Sequence, residues 1–523
     1  MGSHKIKLLL VTLRHVKFIQ IYFQVFYRIK NTFYNFSDKK TCPKRNSLDF
    51  SNFCQENKKF LTPNTFNFLN IEHKFKKIDW NFSKHGKLWT YNLNYFDFLQ
   101  QQSIDKSIGL EVILNFCTQN KLLKDGYEPY PISLRVINWV KFLSINNVKN
   151  QQVDLQLYND LCRLKSHLEY HILANHLFEN GFGLLFGAYY FKDEKLYQLA
   201  KKIIKTELKE QILADGAHYE LAPMYHKILL HRVLDSYQLV SKNGWKQNEL
   251  AKELKEAAER MLGWLEAMSF NGSLVPQVND TTSFVSPTSD TLFKYAEVLN
   301  LNFKSSSLNE SGYRKWNIDS LEILFDIGQI APSYQPGHSH ADNLQIIVHK
   351  NKLPILVDTG ISTYEKNERR QLERSTSSHN TVTLNNQNSS EVWSGFRVGR
   401  RATTKIINDN TFSIKAEHNG YRKQKVNVNR KLEKVKNNIR ITDGSSGVKQ
   451  TNQLEGHLHF HPDRKVVIEK DTILVDEELF IQFNSNCSIK ETTYEYCLGF
   501  NNRISSTKVI YKFDQTAIFT IYA

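Results

Sequence analysis

The hydrophobic period of this chain changes once along its 523 residues, and that change narrows the architectures open to it. From about Asn94 to Asn300, apolar residues recur at helical spacing in Tyr95–Gln101, Ile108–Gln119, Ser133–Ser144, Leu155–Leu173, His176–Phe191, Leu196–Ile212, Tyr219–Ser241 and Gln247–Ser269. Asp125-Gly126, Lys192-Asp193, Asp215-Gly216 and Asn271-Gly272 supply the stops between them. Helices of similar length joined by short loops predict stacked hairpins, as in an α/α toroid or a solenoid, and no sequence repeat selects between the two. After about Ser305, Val, Ile and Thr alternate with polar residues in short runs such as Leu344–Val348, Leu353–Val357, Ile439–Thr442 and Ile473–Val475. Many short strands in succession predict an antiparallel β-sandwich. The chain therefore divides into a segment 1–90, a helical domain 91–304 and a β domain 305–523, the second boundary falling between Asn302 and Asp319 where Ser, Asn and Gly cluster. A cleft between a helical and a sheet domain is an expected place for substrate.

Charge matters here through its position. The formal net charge is +16, but residues 1–90 hold 17 Lys and Arg against 5 Asp and Glu. The excess thus lies in an N-terminal segment, and with no nucleic-acid recognition motif a nucleic-acid partner is not expected. Leu8 to Leu13 is apolar but is followed by Arg14, His15 and Lys17 with no small-residue cleavage site, a poor signal peptide. Ile19 to Ile29 is too short and too basic at its flanks to span a bilayer. It reads as an amphipathic helix that either makes peripheral contact with a membrane surface or docks on the body. The compartment stays open between the cytoplasmic side and the periplasm. Six cysteines without a CxxC pattern argue against a thiolate metal site; Cys487 and Cys497 could bridge neighbouring strands under oxidising conditions, and free thiols are otherwise expected. Gly-rich phosphate loops and GxSxG are absent, so no organic cofactor is expected.

The residues that carry chemistry fall in two places. In the β half, His338-Ser339-His340 precedes Ala341-Asp342, then come Val357-Asp358-Thr359-Gly360 and Ser378-His379-Asn380-Thr381. On an extended strand residues two apart share a face, so His338 and His340 can enter one site. Two histidines and a carboxylate from separate strands form a three-ligand set with an open position. In the helical half, Asn175 and Glu179 lie one helical turn apart, and Asp215-Gly216-Ala217-His218-Tyr219-Glu220 leads into Pro223-Met224-Tyr225-His226. Pro223 is expected to interrupt the first turns of the helix there. Taken singly, each of these residues also reads as an ordinary packing or capping side chain.

Together they carry a resemblance. GHSHAD (337–342), VDTG (357–360), SHNTV (378–382) and the Arg-rich segment 397–401 are similar to the C-terminal half of the heparinase II/III family of polysaccharide lyases. Asn175-His176 with FENG (178–181), and the pattern DGxxxExxPxYH over 215–226, are similar to its helical half, so the likeness runs from about Trp80 to Arg401. The resemblance selects an incomplete α/α toroid followed by an antiparallel β-sandwich. It implies that Asn175 and His176 neutralise a uronate carboxylate, that Tyr225 is the general acid and also a candidate base, and that His338 is the alternative base. It further implies that His340, Asp358 and His379 hold a structural divalent metal, zinc, and that Glu179, Arg374, Arg397 and Arg401 are substrate-binding residues for carboxylate or sulfate.

Eliminating across a uronic acid requires a neutralised C5 carboxylate, a base for the C5 proton and an acid for the departing O4 oxygen, which these residue types supply. The expected function is therefore β-elimination on an acidic polysaccharide. The missing secretion signal points toward the cell's own capsule or exopolysaccharide. Two other readings stand beside it: a glycan-binding or assembly protein of the same fold, and a glycan hydrolase using His340, Asp358 and His379 with an ion that activates water.

Overall fold

The computed structural model describes residues 3–33, 36–51, 53, 59–62, 64–246, 249–270, 273–449, 453–484 and 487–522; Cys54, Gln247 and the expected stop at Asn271-Gly272 lie outside them. Two helices come first, α1 (Ser3–Leu13) and α2 (Phe18–Phe33), followed by a small antiparallel sheet of β1 (Phe60–Thr62), β2 (Thr65–Phe68) and β3 (Ile71–Lys74). The helical body then runs through α3 (Lys87–Tyr95), α4 (Lys106–Gln119), α5 (Pro129–Ile145), α6 (Gln151–Ser166), α7 (Ala174–Phe191), α8 (Glu194–Gln211), α9 (Pro223–Lys242), α10 (Ala251–Met268) and α11 (Ser289–Val298). Asn150 and Asp193 accept from the first backbone N–H groups of α6 and α8, the capping chemistry their residue types favour.

Three boundaries differ from the sequence pattern, each for a local reason. The expected helix Tyr95–Gln101 is displaced: α3 ends at Tyr95, Phe96 turns left-handed (φ 58°), and a short 3-10 turn covers Asp97–Gln100. The run Leu155–Leu173 stops at Ser166, and residues 167–173 form a loop that reaches the site described below. Pro223 does not interrupt a helix; it begins α9, at the position where its missing N–H costs nothing. The segment before residue 90 is also more than a basic arm. Leu48, Phe50, Phe60, Phe66, Phe68, Phe75, Trp80 and Phe82 enter the same core as α3–α11.

The second half is antiparallel throughout. β4 (Tyr313–Ile318), β5 (Leu321–Asp326), β6 (Ile346–Lys350) and β7 (Leu353–Leu356) form one four-stranded meander. The short helix α12 (Glu368–Glu373) follows, then β8 (Val382–Leu384), the hairpin β9 (Val392–Trp393) and β10 (Arg397–Val398), β11 (Thr404–Asp409), β12 (Ser413–His418), β13 (Asn427–Val435), β14 (Asn438–Ser446) and β15 (Leu454–His459). β16 (Val466–Glu469), β17 (Thr472–Val475), β18 (Leu479–Phe483), β19 (Ser488–Gly499), β20 (Asn502–Phe513) and β21 (Thr516–Tyr522) close the chain. An eight-stranded sheet (β11-β12-β13-β14-β21-β18-β17-β16) and a four-stranded one (β19-β20-β15-β8) share a core with the β4–β7 meander, through Ile323, Phe325, Val382, Leu458, Ile441 and Phe519 among others. The expected order, a helical toroid followed by an antiparallel β-sandwich, is the observed one. Cys487 and Cys497 sit ten residues apart at opposite ends of β19 and its approach, and Cys497 is a free buried thiol.

Candidate active site at the junction of the two halves

The site is assembled by a segment that joins the halves. Val278-Asn279-Asp280-Thr281 lies between the start of α9 and the loop that carries the two histidines. On one side, Asn279 Nδ2 donates to Leu221 O (3.0 Å) and the Met224 N–H donates to Thr281 Oγ1 (3.2 Å). On the other, the His340 N–H donates to Asn279 Oδ1 (3.0 Å) and the Asp280 N–H to His338 O (3.1 Å). His338 and His340 lie in a loop rather than a strand, yet their side chains still converge, because each finds an oxygen of the same carboxylate. His338 Nδ1–H donates to Asp280 Oδ2 and His340 Nε2–H to Oδ1, both at 2.8 Å. Arg370 on α12 closes the group with two parallel bonds to the same carboxylate (2.5 and 2.6 Å). Asp280 and Arg370 are fully buried. Burial alone would raise the Asp280 carboxyl, but Arg370 and the two imidazole donors hold it well below the usual carboxylate range.

With Nδ1 committed to Asp280, the neutral tautomer of His338 places its lone pair on Nε2. That nitrogen points toward the helical side, 4.0 Å from Glu220 Oε2. The Tyr225 ring stacks on the His338 ring (centroids 3.9 Å apart), and its hydroxyl shares a 3.2 Å hydrogen bond with the Tyr364 hydroxyl. Burial pushes the Tyr225 phenol far above its ordinary value, with Tyr364 only partly offsetting it, so Tyr225 carries its proton at neutral pH. Glu220 in turn accepts from Asn175 Nδ2 at both oxygens (3.1 and 3.0 Å), and burial raises its carboxyl.

Asn175 and His176 stand on the first turn of α7, where Leu173 (φ 64°) and Ala174 (φ 53°) are both left-handed without being glycine. Strain of this kind persists where surrounding contacts over-determine it, often at functional sites. Here the loop 167–173 supplies those contacts: Glu169 accepts from His176 Nδ1 (2.8 Å) and Asn180 Nδ2 (2.9 Å), while its own N–H donates to Asn180 Oδ1 (2.9 Å). Burial disfavours a charge on His176, yet Glu169 outweighs it and raises the imidazole above its ordinary value. His176 is partly exposed, so its remaining nitrogen is open to a ligand.

The other expected residues are placed differently. Glu179 has no exposed surface; its carboxylate faces Arg232 Nε at 3.3 Å, and burial lifts its pKa to about 7. It braces α7 against α9. Arg374 is also buried and donates to the Ser339 (2.9 and 3.2 Å) and Gly395 (3.2 Å) carbonyls, which shapes the histidine loop from behind. Burial and the neighbouring Arg370 lower it to about 9. Arg397 is exposed and stacks over Trp393, 4.9 Å from its ring centroid. Arg401 donates to Ser333 O, with Nε and Nη2 unpaired.

Among the described residues, no three His, Cys, Asp or Glu side chains stand together as ligands for a metal ion. His340 is bonded to Asp280, and Asp358 accepts from His379 Nδ1–H (2.8 Å) and from the Gly360 N–H (2.9 Å). The structure does bring the three expected ligands into one neighbourhood: the His340 and His379 rings are 5.3 Å apart, and the buried His340 Nδ1 and His379 Nε2 have no hydrogen-bond partner. Burial takes the His340 pKa down to about 4, leaving that ring neutral.

Sequence reasoning missed Glu169, Asp280, Tyr364 and Arg370. Asp280 lies in VND between two ordinary polar stretches, and nothing local marks it. Glu220, which the sequence reading quoted without a role, stood within the DGxxxExxPxYH pattern and so had a visible signal.

An α/α helical body joined to layered antiparallel sheets, with a Tyr–His–Asn site at the join, is the architecture of a recognised class. Residues 131–305 match the family model for the heparinase II/III N-terminus, and residues 300–520 match that for the heparinase II/III-like C-terminal domain. The chain belongs to the heparinase II/III family. It is similar to a heparin-sulfate lyase of Pedobacter heparinus (24% identity over 249 residues) and to one of Bacteroides stercoris (24% over 251 residues). These alignments cover 41% and 42% of this chain but only 36% and 37% of the relatives' own lengths. In fold, it is similar to a solved heparinase III at a TM-score of 0.64 with 17% identity, over 86% of this chain and 80% of the other. A heparan sulfate lyase from Pedobacter heparinus superposes at 0.59 with 18% identity, over 88% and 81%.

Proposed function

We propose that the protein is a polysaccharide lyase that cleaves a uronic-acid-containing glycan by β-elimination. One observation supports this reading above the others: the Tyr225 ring stacks on His338, whose Nδ1 is fixed by Asp280, so that a protonated phenol and an imidazole lone pair sit side by side. In this reading His176, whose charged form Glu169 favours, and Asn175 bind the C5 carboxylate and offset the negative charge that builds at C5. His338 Nε2 removes the C5 proton. The C5 electron pair forms the C4–C5 double bond as the C4–O4 bond breaks, and Tyr225 delivers its proton to the departing O4 oxygen. A phenol held above its ordinary range favours Tyr225 as acid over Tyr225 as base, which leaves the base role to His338. Glu179 and Arg374 act through what they position; Arg397 and Arg401 remain candidates for contact with carboxylate or sulfate groups away from the reacting sugar.

A divalent ion in this reading would take His340, Asp358 and His379. The support for it is the pair of buried, partnerless ring nitrogens, His340 Nδ1 and His379 Nε2. Bound there, the ion would stiffen the sheet side of the cleft. The names of the curated relatives favour a sulfated glycosaminoglycan as substrate, while the cell's own capsule or exopolysaccharide is the alternative source of uronate.

The test is absorbance at the unsaturated-uronate band with heparan sulfate, chondroitin, alginate and the host's own polysaccharide. A rise that falls at least about a hundredfold in Tyr225→Phe supports the lyase. Chain shortening without absorbance makes the protein a hydrolase. Binding without shortening makes it a glycan-binding protein.

A further inference from the structure

The N-terminal helices are mounted inside out. A surface helix normally turns its apolar stripe to the body and its polar face to water. In α2 the reverse holds. Its inner face is fixed by polar contacts to the loop 166–172: Gln20 Nε2 donates to Ile172 O (3.0 Å), Tyr27 Oη to Leu168 O (2.6 Å) and Lys30 Nζ to Ser166 O (2.5 Å), with Phe23 stacked on Tyr170. Its outer face carries Phe18, Tyr22, Val25, Ile29 and Phe33, spaced by three and four residues and all exposed, Phe18 by 79% and Phe33 by 84%. α1 repeats the arrangement with Ile6, Leu10 and Leu13 outward, while Leu8 is buried and Thr12 Oγ1 accepts from Trp393 Nε1 (3.2 Å). Exposed apolar stripes on two adjoining helices of a folded protein mark an interaction surface.

Charge decides what covers it. Residues 1–37 contain six Lys and Arg and no Asp or Glu. Arg14 and His15 are exposed at the turn between the helices, and Arg28 is exposed on α2. A second copy of this chain docked through this face about a two-fold axis would bring two cationic turns, and no acidic residue of either helix, into one interface. An anionic surface would meet both the apolar stripe and its basic border. Among the described residues no single helix is long and apolar enough to cross a membrane, and α1 and α2 meet at 114°, an angle suited to lying along a surface.

We propose that α1 and α2 form a docking face for the surface of an anionic lipid bilayer. The helices bridge the helical half, through residues 166–172, and the sheet half, through Trp393, so docking holds both halves in one orientation to the bilayer. The loop they grip is the one whose Glu169 holds His176 by its Nδ1, so the cleft is held close to the docked surface. A polymer chain attached to or emerging from that membrane would be the substrate within reach. The docking itself is independent of which glycan the site takes.

The test is co-sedimentation of the full-length protein with vesicles of phosphatidylcholine alone or with phosphatidylglycerol. The proposal expects pelleting with the anionic vesicles and weakening with salt. It also expects a more than tenfold loss of partitioning in the variant Phe18→Ser/Tyr22→Ser/Val25→Ser/Ile29→Ser, which leaves every contact to the body in place. The thermal midpoint of that variant should match the parent's. Arg14→Glu/Arg28→Glu should lose the preference for anionic vesicles. A parent that stays in the supernatant, or a stripe variant that binds as well as the parent, overturns the proposal. So does a parent dimer in light scattering that the stripe variant makes monomeric, since the face then belongs to a second copy.

Discussion

Replacing Asp280 by Asn removes one charge and no volume, which isolates what the carboxylate does. In the parent, its two oxygens accept four hydrogen bonds at 2.5–2.8 Å, two from Arg370 and one each from His338 and His340. An amide at this position can satisfy only one pair of these donors; its NH2 must face the other pair. Breaking a fully buried ion pair in this way costs about 3–5 kcal/mol of stability. If the NH2 faces His338, the ring proton moves to Nε2 and the lone pair that takes the substrate proton in the proposed mechanism is lost. The expected result is a fall in kcat of about 10²–10⁴-fold with KM changed by less than about threefold, because no substrate contact is removed. Asp280 is depressed in the folded state, so its stabilisation is present above the unfolded carboxylate value of about 3.9 and is lost as pH falls through the folded value. The unfolding free energies of parent and variant should therefore differ most near neutral pH and draw together in strong acid. Denaturant unfolding at several pH values, with initial rates from the unsaturated-uronate absorbance, reads both. A folded variant with kcat within about threefold of the parent would refute the orientation argument, and a stability gap that persists unchanged in acid would refute the ion-pair argument.

Three further outcomes follow from the same geometry. His176 is raised by Glu169, so its pairing stabilises the fold fully below the unfolded histidine value of about 6.5 and fades as pH rises through the folded value; KM should rise over that alkaline limb, and His176→Gln should flatten the KM–pH profile. Gly216 has φ 89°, and a Cβ there would sit 2.1 Å from the Arg260 carbonyl oxygen, so Gly216→Ala should cost roughly 2–4 kcal/mol in denaturant unfolding and loosen the loop that leads to Glu220 and Tyr225. If a divalent ion is held by His340, Asp358 and His379, prolonged chelation should lower the thermal midpoint, added zinc should restore it, and His379→Ala should abolish the response; a midpoint indifferent to chelator and zinc would remove the ion from the site.

The fold was legible because its signal is repeated. Eight apolar runs at helical spacing and a succession of short alternating ones each carry a little information, and they agree on the order of the halves. What escaped were places where one residue's backbone overrides a periodic run. Phe96, Leu173 and Ala174 turn left-handed inside or beside helical patterns, and no residue type there announces it. The N-terminal aromatics escaped differently: Phe66, Phe68 and Trp80 lie among lysines, and the local charge hid their membership of the helical core. In the site, residues inside dense polar motifs were found, and their placement divides by the direction they face. Tyr225, His338, Asn175 and His176 line one group, whereas Glu179 and Arg374, from the same motifs, are turned inward to hold it. A motif shows which side chains are constrained but not which way they face.

The site's dependence on the join between the halves explains why its keystone was illegible. Asp280 comes from the segment after α10, Arg370 from α12 in the β half, and the histidines from a loop between β5 and β6. Three elements distant in sequence meet only when the two cores dock, so no window of sequence holds more than one of them. The same fact makes the ion pair a device for coupling assembly to chemistry. Until Arg370 reaches Asp280, that carboxylate would be buried without its counter-charge, and His338 would lack the acceptor that fixes its tautomer. In the proposed mechanism, docking of the halves and formation of a competent base are then one event. Arg370→Gln should show this directly: it leaves both histidines in place but removes the counter-charge, so loss of activity should track loss of the inter-domain unfolding transition. A variant that keeps the parent's cooperative unfolding yet loses its activity would separate the two and assign Arg370 to chemistry alone.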